Sequence, residues 1–290
     1  MNKILVTGSN GQLGSELKRL SENLAPYQFI FADLPELDIT DYSTVAHWCK
    51  AHQISVIINC AAYTAVDRAE EDRETAGKVN HLGPKVLAQV ALETGATLIH
   101  ISTDYVFNGE GYAPYTEEMA VSPLGVYGAT KLAGEEAIRE SGCRSVIIRT
   151  SWLYSIFGNN FVKTMLRLGA EREQLGVIAD QVGSPTNAAD LAKAIITMLP
   201  KLEEQPRHGE VYHFSNEGVA SWYDFTLAIM EMAELECNVK AIGTKDYPTP
   251  AKRPHYSVMS KEKIKEHFGV EVPYWRDSLA ECLEGLKMIR

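Results

Sequence analysis

Lys3-Ile-Leu-Val-Thr7-Gly8-Ser-Asn-Gly11-Gln-Leu-Gly14, followed by Ser15-Glu-Leu-Lys-Arg-Leu20, is the stretch on which the fold turns. A short apolar run that ends in spaced glycines and passes into a helical pattern reads as strand, tight turn and helix. Glycines at such a turn let the backbone bend and approach a pyrophosphate, whose charge the helix N-terminus stabilises. Gly8, Asn10, Gly11, Gln12, Leu13 and Gly14 are therefore candidate contacts to a dinucleotide. The spacing G-x-x-G-x-x-G departs by one residue from the common G-x-G-x-x-G pattern.

A second apolar run, Gln28-Phe-Ile-Phe-Ala32, ends at Asp33. An acidic residue after the second strand accepts from a ribose 2′-hydroxyl and repels a 2′-phosphate, which favours NADH over NADPH. Asp38 is a competing candidate for that role. Asp38-Ile-Thr-Asp41 opens a helix, with Thr40 or Asp41 as its cap. Val56-Ile-Ile-Asn-Cys-Ala-Ala62 is a continuous apolar run of the kind buried on both faces of a sheet. A helix over Thr75 to Glu93, with Asn80 in its middle, leads to the strand Thr97-Leu-Ile-His-Ile-Ser102. Strand and helix alternate, which defines an α/β fold: a Rossmann-like, doubly wound parallel sheet whose ligand lies across the strand C-terminal ends.

The irregular segment from Ser102 to Val126 is long for a loop within a domain, and loops of that length usually carry function. It leads into the helix that bears Tyr127 and Lys131. Positions i and i+4 share a helix face, so the lysine is expected to lower the phenol's pKa and ready it for proton transfer. One Tyr-x-x-x-Lys pair is about what chance allows in a chain with 13 tyrosines. The strand-end hydroxyl gives the pair its meaning, because it can hold a carbonyl oxygen beside the phenol. Thr103 is the first choice for that hydroxyl and Ser102 the second.

Beyond Thr150, strands are expected at Leu175 to Asp180 and Val211 to Ser215. Helices are expected at Asp190 to Leu199, Ser221 to Leu235 and Arg276 to Lys287, with a polar link from Glu203 to Arg207. The expected division is a dinucleotide-binding domain of residues 1–150 plus about 186–205. A smaller C-terminal substrate-binding domain then comprises about 151–185 and 206–290. Leu279, Leu283 and Leu286 would form one apolar face of the last helix, either core or an oligomer surface.

Composition narrows the class. The chain has 290 residues, 45% of them hydrophobic, with a formal charge of −10. That charge disfavours nucleic acid as a partner, and no apolar run is long enough to span a membrane. The N-terminus lacks a signal-peptide cleavage pattern. Five scattered cysteines without C-x-x-C suit reduced thiols in a cytoplasm, and neither they nor the histidines show metal-ligand spacing, so no metal is expected.

The glycine loop, Asn59-Cys-Ala-Ala62, Ser102-Thr-Asp-Tyr-Val-Phe107 and Tyr127-x-x-x-Lys131 together resemble the extended short-chain dehydrogenase/reductases, which act largely on nucleotide sugars. Arg149-Thr-Ser-Trp-Leu-Tyr154, Asp180-Gln-Val-Gly-Ser-Pro-Thr186, Gly209-Glu-Val-Tyr-His213 and Arg253-Pro254 extend the resemblance toward the branch that reduces a dTDP-sugar ketone. The resemblance implies NADH- or NADPH-dependent reduction of the C4 ketone of dTDP-4-dehydro-L-rhamnose to dTDP-L-rhamnose. It implies Thr103, Tyr127 and Lys131 as the catalytic set, with Asp33, Asp38, Ile39, Ala61, Ala62, Tyr127 and Lys131 joining the glycine loop around the cofactor. Asp104, Tyr105 and Trp152 would line the sugar pocket, Asn160 and Arg253 would hold the diphosphate, and Asn80 would support the lysine through a water. A homodimer is compatible with the resemblance. Dehydratases of the superfamily carry an acid followed by glutamate after the Ser/Thr, whereas Tyr105 follows Asp104 here. Another nucleotide-sugar 4-ketoreductase, an epimerase, or a non-catalytic regulatory subunit retaining the fold stays open.

Overall fold

In the computed structural model, which describes residues 2–288, the first strand β1 (Lys3–Thr7) lies inside a six-stranded sheet. The glycine turn feeds α1 (Gln12–Leu20), and the chain returns through β2 (Gln28–Ala32). Next comes α2 (Tyr42–His52), whose first-turn amides are capped by the Asp41 carboxylate through Ser43 N and Thr44 N, and then β3 (Ile54–Asn59). Two short helices, α3 (Val66–Ala69) and α4 (Arg73–Gly77), lead through a π-helical turn (Lys78–Leu82) into α5 (Gly83–Thr94). The one helix expected over Thr75 to Glu93 is thus widened in its middle, at Asn80. β4 (Thr97–Thr103), α6 (Val126–Ser141) and β5 (Ser145–Thr150) complete the first half.

All pairings in the sheet are parallel, in the order β2-β1-β3-β4-β5 with one further strand beyond β5. The chain moves outward from β1 to β2, then crosses back to place β3 on the other side. That reversal opens a crevice at the C-terminal ends of β1 and β3, where this class of sheet binds ligands. Alternate strand residues face opposite helical layers. Ile4, Val6, Ile58, Ile99, Val146 and Ile148 pack on the α1 side, while Leu5, Ile57, Leu98 and Ile147 pack under α2, α5 and α6. Burying one such side chain is worth about 1.5–3 kcal/mol, which anchors the sheet between its two helical layers.

The second half contains β6 (Leu153–Tyr154), α7 (Phe161–Glu171), β7 (Gln174–Ile178), β8 (Val182–Gly183), β9 (Thr186–Asn187), α8 (Ala188–Glu204) and β10 (His208–His213). It closes with β11 (Ala220–Ser221), α9 (Trp222–Met232), β12 (Asn238–Ile242), α10 (Glu262–Phe268) and α11 (Trp275–Met288). A separate apolar core forms among α7, α9, α11, β7 and β12, and it includes Leu279 and Leu283.

Two placements differ from the sequence reading. β10, assigned to the substrate-binding unit, pairs in parallel with β5 as the far edge of the main sheet. Its Tyr212 and the following Phe214 join the core beside α8 and α10, and burial there fixes the strand. α8 runs past Leu199 to Glu204, into the first two residues of the expected link, with Pro200 inside it, because Leu202 is also buried in that core. Among the described residues, no helix is long and apolar enough to cross a membrane.

Candidate active site

The glycine turn is built for close approach. Gly8 has φ +63°, and a Cβ there would lie 2.5 Å from Ala61 N, so the end of β3 and the loop touch backbone to backbone. At Gly14 a Cβ would lie 2.6 Å from Gly8 O, so α1 can start only this near to β1 if the position is glycine. This backbone cradle at a helix N-terminus, beside a crevice at the strand ends, fits a dinucleotide diphosphate. Asp33 follows β2 and accepts from Asn10 N at 2.9 Å, which places a carboxylate against the loop. The competing Asp38 is used by its own turn: it accepts from Thr40 N and Oγ1, which hold its carboxyl below the usual range, and it faces Lys78. Ile39 is buried against Gly83.

A cleft of about 520 Å³ runs from this cradle across the ends of β3, β4 and β5. Gly11, Gln12, Leu13 and Ala62 line its cofactor end. Thr103, Asp104, Tyr105, Tyr127, Lys131 and Trp152 line the rest, although they come from β4, the segment after it, α6 and the chain after β5. The edge of one ring of Tyr105 and Tyr127 meets the face of the other, with centroids 5.4 Å apart. Trp152, with φ +48°, stacks on Trp222 at 3.5 Å and forms an aromatic wall. Trp222 was not identified from sequence, because the stack joins segments 70 residues apart only by folding.

Thr103 is the last residue of β4. Its hydroxyl donates to Asp104 Oδ1 at 3.0 Å and accepts from Tyr105 N at 3.2 Å. The second choice, Ser102, donates instead to Glu135 Oε1 at 2.5 Å, so its hydroxyl is committed to a buried pair. Asp104 is buried, and its Oδ2 has no hydrogen-bond partner among the described residues. Burial pushes its carboxyl up to about 7, against the opposing effect of the Thr103 hydrogen bond and the nearby Ser257 hydroxyl.

The expected electrostatics of the Tyr/Lys pair are corrected by the structure. Burial pushes Tyr127 up to about 12, assisted by Asp104 and opposed by the Thr103 hydroxyl. Lys131 does not lower it, because the ammonium is itself buried and turned to β4, where Nζ donates to Ile101 O at 2.6 Å. Burial brings Lys131 down to about 8, and Glu135 opposes that shift. At neutral pH the phenol therefore holds its proton. This is the form required of a proton donor.

The side chains of Asn160 and Arg253, both expected at the diphosphate, have partners within the protein. Asn160 lines the cleft, but its carbonyl caps α7 at Lys163 N and its amide donates to Gln12 Oε1 and Ser155 O. Arg253 lies outside the cleft lining, and its fork is filled by both oxygens of Asp67, at 3.1 and 2.7 Å. Asn80 is buried and makes no direct bond to Lys131. It accepts from Tyr63 N and donates to Tyr63 O and Thr130 Oγ1. The π-turn that carries it is a feature often found at functional sites.

A glycine cradle on a doubly wound sheet, with a strand-end threonine and a Tyr/Lys helix across one cleft, defines an extended short-chain dehydrogenase/reductase. The chain belongs to the family described as RmlD substrate binding domain, whose profile matches residues 1–288. The dTDP-4-dehydrorhamnose reductase of Escherichia coli is 42% identical to it, over 98% of this chain and 97% of that protein. A crystal structure of a dTDP-4-dehydrorhamnose reductase from Clostridium acetobutylicum superposes with a TM-score of 0.94 at 40% identity, covering 99% of this chain and all of that one. The Bacillus anthracis dTDP-4-dehydrorhamnose reductase, solved in complex with NADP, gives a TM-score of 0.91 at 40% identity, covering 98% of this chain and all of that one.

Proposed function

We propose that this protein reduces the C4 ketone of dTDP-4-dehydro-L-rhamnose to give dTDP-L-rhamnose, with Tyr127 as the proton donor. The observation that carries this reading is the Tyr127 phenol and the Thr103 hydroxyl lining one cleft with the glycine cradle, and burial raises the phenol's pKa, which favours its protonated form. Relatives of about 40% identity over nearly the whole chain carry the reductase name, which supports the substrate. A bound reduced nicotinamide supplies the hydride. Tyr127 gives its proton to the oxygen that becomes an alkoxide, and Thr103 holds that oxygen by turning its own hydroxyl away from Asp104. Trp152 and Tyr105 enclose the sugar and exclude water. Lys131, one turn along the same helix, contacts the ribose hydroxyls. Reduction with cofactor deuterated at the transferring position tests the reading, since the label must appear at sugar C4; a product without it would refute direct hydride transfer.

Asp33 favours NADH. Its carboxylate sits at the end of β2 against Asn10 N, where a ribose 2′-hydroxyl would donate and a 2′-phosphate would be repelled. The relative from Bacillus anthracis holds NADP, so the preference is one of degree. With Asp33→Asn, the ratio of kcat/KM for NADH to that for NADPH is expected to fall about tenfold, the equivalent of about 1.4 kcal/mol. An unchanged ratio would remove Asp33 from cofactor selection.

A further inference from the structure

A buried chain of polar groups runs beneath the cleft from β1 to α6. Thr7 Oγ1 donates to Asn59 Oδ1 at 2.7 Å, and Ala61 N donates to the same oxygen at 3.1 Å. Because a backbone N–H can only donate, these contacts identify Oδ1 and leave the Asn59 amide nitrogen facing His100 Nδ1, 3.0 Å away. His100 Nδ1 must therefore accept. Its neutral ring then carries the proton on Nε2, and Nε2 lies 3.3 Å from Lys131 Nζ. Thr7, Asn59, His100 and Lys131 are each at most 2% exposed, so water does not soften the contact.

An ammonium has three donors and no acceptor, whereas an uncharged amine has a lone pair to receive an N–H. We propose that His100 is a positioning residue: held by Asn59 as the Nε2–H tautomer, it aims a donor at Lys131 and disfavours its ammonium form. This contact adds to burial, which already brings Lys131 down toward neutral pH, so that the group gains and loses a proton near working pH instead of staying a fixed cation. Burial and the neighbouring charge keep the histidine ring itself uncharged. Glu135 on α6 pulls Lys131 the other way, toward the charged form, and is itself neutralised by Arg149 on β5. Cys60, after β3, stays a thiol because burial pushes it up. Asp104 and Tyr127 also face the cleft, titrating near 7 and 12.

The inference rests on the reductase reading for its catalytic consequence but not for its structural content, and the test separates the two. Side-chain nitrogen NMR of the cofactor-free full chain, labelled in histidine and assigned with His100→Gln, is expected to show His100 as the Nε2–H tautomer, without titration from about pH 6 to about pH 9. A doubly protonated ring or the Nδ1–H tautomer would overturn the proposal whatever the enzyme's activity. In the second arm, kcat/KM for the reduced cofactor is expected to fall above pH about 8, as the lysine loses the charge with which it holds the cofactor's ribose hydroxyls. In His100→Gln the amide oxygen can turn to accept from the ammonium, so that falling limb is expected about one unit higher, a tenfold change in the charged-to-neutral ratio. Asp104→Asn identifies any limb near 7 that belongs to Asp104. A His100→Gln variant slowed equally at all pH values, with the limb unmoved, would reduce His100 to a packing role and contradict the proposal.

Discussion

Tyr127→Phe is expected to lower kcat by about 10²–10⁴-fold while leaving the affinity for the reduced cofactor within a few-fold of wild type. That range is what a positioned general acid typically supplies, and it corresponds to about 3–5 kcal/mol of barrier. The loss should fall on kcat because the ring still packs against Tyr105, where the contact is edge to face and uses no hydroxyl. Binding of the cofactor, followed by quenching of protein fluorescence, and turnover of the sugar nucleotide separate the two effects. A variant with wild-type turnover would show that another group delivers the proton. Asp104 is then the first to consider, since its buried carboxyl at about 7 is partly protonated under the same conditions.

Arg149→Met is expected to have the largest effect on stability. Arg149 Nη2 and Nε bind the two oxygens of Glu135 at 2.7 and 3.0 Å, and both side chains are nearly inaccessible. Removing one member of such a pair leaves an uncompensated buried charge and costs about 3–5 kcal/mol. The damage would spread to the site, because Glu135 also receives the Ser102 hydroxyl next to Thr103 and lies on the helix of Lys131. The guanidinium packs over the Phe107 ring at 5.2 Å, so lost packing adds to the effect. Urea unfolding of Arg149→Met and of Arg149→Met/Glu135→Gln provides the check. The double variant should recover part of the loss, since it removes the stranded carboxylate. If the single variant unfolds within about 1 kcal/mol of wild type, the pair is not a structural anchor.

The parts of the site that were legible in the sequence are those written locally. The glycine loop, the Asp41 cap and Tyr127-x-x-x-Lys131 each lie within a few residues, where backbone geometry alone relates them. Strand alternation puts Ser102 and Thr103 on opposite faces but does not say which of them meets the cleft, and the contact that commits Ser102 to Glu135 comes only from folding. What stayed hidden depends on partners brought together by folding. Arg253 and Asp67 are 186 residues apart, so an arginine suited to a diphosphate could not be told from one suited to a carboxylate. β10 reads as a strand but not as a strand of the main sheet, since its neighbour β5 is set by burial of Tyr212. The i, i+4 spacing put Lys131 on the face of Tyr127 but could not show its ammonium turned into β4, nor that desolvation of the phenol would outweigh any nearby cation. A usable signal for His100 did exist: a histidine at the centre of an apolar strand must find buried partners, and Asn59 on the adjacent strand is one.

The central claim is reduction of a sugar C4 ketone by a freely exchanging nicotinamide cofactor. Incubating the purified protein with dTDP-4-dehydro-L-rhamnose and NADH, and following the loss of reduced nicotinamide together with the formation of dTDP-L-rhamnose, tests it most directly. One reduced cofactor is expected to be consumed for each sugar nucleotide formed. Demonstrated cofactor binding without oxidation of either NADH or NADPH in the presence of the ketone would contradict it.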